Sequence, residues 1–216
     1  HFTIQDGPQW TIHPVYCEHI KIRDVHVETQ GPNTDGLNPD SCSDVLIENC
    51  TFRTGDDCIA INSGLNEDGW RVNKPCHHVE IRHCDFLGGH AAVAIGSGMS
   101  GGVYDIYVHD CTIRNTQRGI RLKSMRGRGG YIRDVEFSNI TIENVQEEAI
   151  QVSMNYESST AVPVSDKAPV FSGVRFAAIH SKNAKIGMAL RGLAESPLTI
   201  SLRDVSLSAE KPDVLE

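Results

Sequence analysis

Apolar and polar residues alternate along this chain in short bursts that share one form. IKIRDVHV from Ile20, VLIENCTF from Val45, VEIRHCDF from Val79, IYVHDCTI from Ile106 and VEFSNITI from Val135 all read apolar, any, apolar, any, Asn/His/Asp, apolar, any, apolar. Two weaker copies follow, VRFAAIHS from Val174 and ISLRDVSL from Ile200. Alternation of period two is the mark of a β-strand. At the fifth position the phase slips, so the inward face would flip unless the chain bends there. An Asn, His or Asp at such a bend bonds the turn backbone. Each unit therefore predicts two short strands meeting at a corner.

A second ladder follows the units: Ile59–Ala60–Ile61, Val93–Ala94–Ile95, Ile120–Arg121–Leu122 and Ile150–Gln151–Val152. Its starts lie 34, 27 and 30 residues apart, almost in step with the first ladder's 34, 27 and 29 over the same coils. Two ladders advancing together are the coils of a solenoid, each too thin to bury its own face. No long window has helical periodicity. The prediction is an all-β fold, a single right-handed parallel β-helix over residues 1–216, since parallel crossovers take that hand. A β-propeller is the alternative, but it needs a steadier period and four strands per blade. In the helix register Cys50, Cys84 and Cys111 form one inward column, read as stacked free thiols because three stacked Cys cannot all pair. Cys76, His77 and His78 read as exposed loop residues ahead of a strand rather than as metal ligands.

Composition narrows the class of partner. The chain has 216 residues, 19 Gly and a formal net charge of -8, which argues against nucleic acid as the partner. No apolar run approaches a membrane span, and a monomer with no membrane partner is expected. The chain opens HFTIQDGPQW, with neither Met nor a leader-like segment, and further N-terminal coils are expected ahead of it. Seven Cys form no CxxC pair and fix no redox compartment.

The same register gathers the candidate chemistry. Asp35, in NTDG, lies two residues before Leu37; Asp57, in GDDC, lies two before Ile59, the same station one coil on. Asp56 is one step back, and His90 occupies that station on the next coil. Arg121 and Lys123, two apart on a strand, share one face. Alone, an Asp before Gly is a turn former, a DD pair is solvated and an Arg-x-Lys is an exposed face. Together they form a line of charges along one edge of the solenoid. Crowded carboxylates raise the pKa of one of them, which can then serve as an acid while the others stay ionised and hold water. Asp56 and Asp57 share a cleft only if the chain bends between them, and Gly55 permits a bend. RGIRLKSMRGRGG, residues 118–130, has five basic residues and no acidic one. In an acidic protein it suggests an anionic ligand, with Arg121 suited to bidentate pairing and Lys123 to point attraction.

NTDG, GDDC, GGH (88–90) and RLK (121–123), in this order on a predicted β-helix, resemble glycoside hydrolase family 28, the polygalacturonases and related pectin hydrolases, and most of all its bacterial branch. The resemblance implies inverting hydrolysis of α-1,4 linkages in polygalacturonate, with no metal and no organic cofactor. It implies Asp56 as general acid, Asp35 and Asp57 as the pair that activates water, and His90 as support for the acid. It also implies Asn33, Arg121, Lys123 and Tyr156 as substrate-binding residues. The implied substrate is an anionic polysaccharide or oligogalacturonide. A secreted or periplasmic location is expected, with an intracellular one as the alternative. Two positions depart from the family pattern: Ala91 stands where Gly is usual and narrows the space beside His90, and Asn38 stands where Asp is common. Rhamnogalacturonan or xylogalacturonan hydrolysis, a calcium-dependent pectate lyase with an arginine base, and a non-catalytic carbohydrate-binding β-helix are the competing readings.

Overall fold

The computed structural model describes residues 1–156 and 165–216. Among the described residues the strands run, in chain order, β1 (Phe2–Gln5), β2 (Glu18–Arg23), β3 (Val25–Glu28), β4 (Ser43–Glu48), β5 (Thr51–Arg53), β6 (Ile59–Ile61), β7 (Cys76–Arg82), β8 (Asp85–Phe86), β9 (Ala91–Ile95), β10 (Val103–Arg114), β11 (Arg118–Lys123), β12 (Tyr131–Glu143), β13 (Glu148–Ser153), β14 (Val170–Arg191), β15 (Ile200–Lys211) and β16 (Val214–Leu215). One helix, α1 (Asn66–Val72), is inserted between β6 and β7. Each strand pairs in parallel with the equivalent strand of the next coil, as in the β2–β4–β7–β10–β12 run and the β6–β9–β11–β13 run. The chain is a parallel β-helix, as the two ladders predict.

The corners have a common cause. All seven residues at the fifth position of the repeat, Asp24, Asn49, His83, Asp110, Asn139, Ala178 and Asp204, are left-handed, with φ between 50° and 55°. Asn and Asp visit this region more readily than other non-glycine residues. A second left-handed column stands one residue before each of the first six units, at His19, Asp44, His78, Asp105, Asp134 and Gly173. This corrects the reading of Cys76, His77 and His78 as loop residues. They open β7, Cys76 is fully buried, and His78 is a corner residue whose imidazole pairs with Asp105 at 3.2 Å.

Inward residues stack in columns from coil to coil. Val45, Val79, Ile106, Val135 and Val174 make one such column, and Phe52 stacks on Phe86 and Phe137 on Phe176. Cys50, Cys84 and Cys111 do form a buried column of free thiols, each bonding the carbonyl two residues earlier. The short helix has no 3.6-residue apolar stripe, which is why the hydrophobic pattern gives no sign of it. It ends at Asn73, left-handed at φ 50°, and Trp70 ties it to the 125–130 loop by donating to the Arg128 carbonyl at 2.9 Å.

Candidate active site

The second ladder forms the floor of a cleft, and the connections that precede its strands carry the acids. Bridges align Ile12 with Leu37 and Leu37 with Ile59, and β6 aligns Ile59 with Val93. Trp10, Asp35 and Asp57 therefore share one station on three successive coils. The Gly36 N–H donates to the Asp57 carbonyl at 3.0 Å, which makes the two acid-bearing coils direct neighbours. The His90 N–H likewise donates to the Asp56 carbonyl at 2.9 Å. Glycine permits this close stacking: a Cβ on Gly55 would stand 2.1 Å from the Gly31 carbonyl oxygen of the preceding turn. The chain bends after Gly55, the Asp57 N–H donates to Asp56 Oδ1 at 2.9 Å, and both carboxylates line the cleft.

The three carboxylates have different partners. Asp35, 6% exposed, accepts from Asn38 Nδ2 at 2.8 Å. Asp57, 2% exposed, accepts from Lys123 Nζ at 2.8 Å, and its Oδ1 is enclosed with no protein donor among the described residues. Asp56 is the most open of the three and faces His90 Nδ1 at 3.1 Å. One oxygen from each acid lies within 4.8 Å of the other two. Such a donor set could converge on a hard cation. Here the Lys123 ammonium and the Asn38 amide take up two of its carboxylates.

Electrostatics divide the acids further. Burial, opposed by the Asn38 hydrogen bond and reinforced by Asp57 and Asp56, pushes Asp35 up to about 7. Burial also pushes Asp56 up, but the His90 hydrogen bond and charge outweigh it and leave Asp56 below its ordinary value. The same bond raises His90. One carboxyl is raised, but burial more than crowding raises it, and it is Asp35 rather than Asp56. The reason is partnership: Asp56 has a basic imidazole, whereas Asp35 has a neutral amide and less solvent.

The cleft, of about 290 Å³, is lined by Asn33, Asp35, Asp56, Asp57, Lys123 and Tyr156, among others. Of the expected site residues, His90 and Arg121 do not line it. His90 backs Asp56, while Arg121 donates to Gln151 Oε1 at 2.7 Å and sits over the Tyr156 ring at 5.4 Å. Lys123 is buried against Asp57, with the Tyr156 ring 5.5 Å away. The rest of the motif around Tyr156, Glu157 and Ser158, lies outside the described residues. Ala91 is fully buried in a small cluster with Ala60 and Ala94.

Trp10 and Arg128 line the cleft and are not among the residues expected from sequence. Trp10 was legible, since it lies two residues before Ile12 and so extends the Asp35–Asp57 station by one coil. Arg128 lies in the basic stretch. It is 2% exposed and donates to Asn66 Oδ1 at 2.8 Å, a partner that only the inserted helix supplies.

The model of the glycosyl hydrolases family 28 matches residues 1–214. The chain belongs to glycosyl hydrolase family 28. It is 35% identical to a probable polygalacturonase of Vitis vinifera over 201 residues, 91% of this chain and 41% of the relative. A hyperthermoactive exopolygalacturonase from Thermotoga maritima superposes with a TM-score of 0.94 at 32% identity, covering 99% of this chain and 48% of that one. A polygalacturonase from Erwinia carotovora ssp. carotovora shares the fold, with a TM-score of 0.82 at 24% identity over 99% of this chain and 54% of that one. This family 28 chain spans about half the length of the relatives it matches.

Proposed function

We propose that the protein is a polygalacturonase, hydrolysing α-1,4-galacturonosidic bonds in polygalacturonate with inversion. The observation that carries this is the convergence of three differently partnered carboxylates on one cleft that also holds Lys123 and Arg128. Family membership and the polygalacturonase names of its relatives support the substrate class.

In the proposed reaction Asp56 protonates the leaving glycosidic oxygen as its bond to the anomeric carbon breaks. Asp56 is the most open of the three acids, and His90 beside it, raised by that contact, can pass it the proton it delivers. Asp35 and Asp57 hold a water on the other side, and Asp35 takes its proton as the water oxygen bonds to the anomeric carbon. Asn33, Tyr156 and Lys123 bind the uronate units in the cleft, with Lys123 exchanging some of its contact with Asp57 for substrate carboxylate, while Arg121 must leave Gln151 to reach a uronate beside the Tyr156 ring. No metal or organic cofactor takes part. We further propose a monomer that acts outside the cytoplasm on an anionic polysaccharide. Among the described residues, no helix is long and apolar enough to cross a membrane.

The nearest carboxylate oxygens lie closer than the acid–base separation of about 6.5–9.5 Å typical of inverting pairs. Inversion is nevertheless the better fit. A retaining nucleophile must reach the anomeric carbon itself, and Asp35 and Asp57 are both buried and held by Asn38 and Lys123. Such carboxylates suit a water better than a sugar carbon.

The height of Asp35 favours one second reading, in which Asp35 is the acid. The two readings differ in sign. As base, Asp35 must be ionised, and kcat/KM rises as pH climbs toward about 7; as acid, it must be protonated, and kcat/KM falls through the same range. The assignment of Asp56 is tested by Asp56→Asn. Turnover of polygalacturonate should drop by at least about 10³-fold with oligogalacturonide binding retained; normal turnover would remove Asp56 from the acid's role.

A further inference from the structure

Asn38 is a side chain whose burial needs a reason. It is fully buried, and its backbone N–H donates to the Ile12 carbonyl of the preceding coil at 2.8 Å. Its Nδ2 reaches Asp35 Oδ2 at 2.8 Å, while its Oδ1 is enclosed without a protein donor among the described residues. A buried amide offers two donors and one acceptor oxygen. Leaving that oxygen unmet is costly, and a leucine of similar size would avoid the cost. The compensating contact is the one to Asp35.

We propose that Asn38 is a positioning residue of the active site, its amide holding the Asp35 carboxylate in place and in its ionised form for work on water. The proposal rests on the reading of Asp35 as the base. The surroundings of Asp35 explain why such a holder is needed. The next coil presents Asp56 and Asp57, both of which favour a proton on Asp35. Lys123 from β11 favours the charge, but its ammonium is bonded to Asp57. The preceding coil contributes Trp10 and Thr11, neither charged, and the Thr11 N–H bonds the Asp35 backbone carbonyl. His13 on that coil faces Asp40, and Tyr156 lines the same cleft. Asn38 is thus the direct side-chain donor to Asp35 among the described residues. An amide is suited to this place because it donates without titrating: it never competes for the proton that Asp35 must collect. An aspartate there, ionised, would add a fourth negative charge and donate nothing.

The test compares the full-length wild type with Asn38→Leu, which keeps the volume and loses the donor, and with Asn38→Asp. The pH profile of kcat/KM on polygalacturonate and a carbon-13 NMR titration of the Asp35 carboxyl, assigned with Asp35→Asn, are both recorded. The inference expects the acid-side limb and the NMR midpoint to move up by about one pH unit in both variants, with KM little changed. A uniform loss of activity with an unmoved limb and midpoint means a merely structural role and overturns it. Should Asn38→Leu not fold, Asn38→Asp carries the comparison. A wild type that does not cut polygalacturonate removes the proposed function, and the substrate-free NMR midpoint still decides whether Asn38 sets the state of Asp35.

Discussion

Asp35 is a carboxyl held against its own preference for water. Burial one coil from Asp57 pushes it from 3.8 up to about 7. Between those values the folded protein keeps a proton that the unfolded chain has released. The contribution of Asp35 to stability therefore falls as pH rises from about 4 to 7, and above that range its buried charge is a standing cost. Asp35→Asn removes the charge and keeps an oxygen for Asn38 to bond. The variant should melt on the order of 5 °C higher than wild type at pH 8, with the difference vanishing near pH 4, while turnover is lost. A difference in Tm that stays flat with pH would contradict the assignment of the cost to Asp35. The sequence showed that Asp35 and Asp57 share a station, because register needs only the apolar ladder. It did not show which acid is raised, because that depends on burial and on Asn38 and His90, contacts made by side chains across turns.

At the scale of the element, the corner does most of the shaping. The fifth position of every unit is left-handed, whatever residue stands there. Six of the seven are Asn, Asp or His, and the seventh, Ala178, adopts the same conformation at φ 50° without a side chain that favours it. The coil stack imposes the turn even where the local sequence opposes it. Ala178→Asn should therefore stabilise the protein by about 1 kcal/mol, raising Tm by about 2–4 °C in a thermal melt. An unchanged or lower Tm would mean that the corner is not strained. This corner was legible because its phase slip recurs in every unit. The second corner, one residue before the unit begins, was not, because it lies outside the apolar alternation that defines the unit. Helix α1 escaped for a related reason: seven residues are too few to show a period, and its tie to the loop through Trp70 is tertiary.

At the scale of the molecule, no single coil owns the active site. Trp10, Asp35, Asp57, His90 and Lys123 come from five successive coils, so the chemistry exists only once the coils stack. That is why the spacing of the repeats reveals the site while no isolated motif does. It also explains why the basic residues were harder to place. Lys123 reaches back from β11 to Asp57, and Arg121 turns aside to Gln151. A strand pattern gives the face a side chain leaves from, and not where a long side chain ends. The chain spans about half the length of its relatives, so the full-length protein is the right subject for the decisive experiment. That experiment is a proton NMR time course of oligogalacturonide cleavage, read in the first minutes before anomers equilibrate. The account predicts that the β anomer of the new reducing end appears first, with no unsaturated product and no effect of chelator. The α anomer first, an unsaturated sugar, or no new reducing end would contradict it.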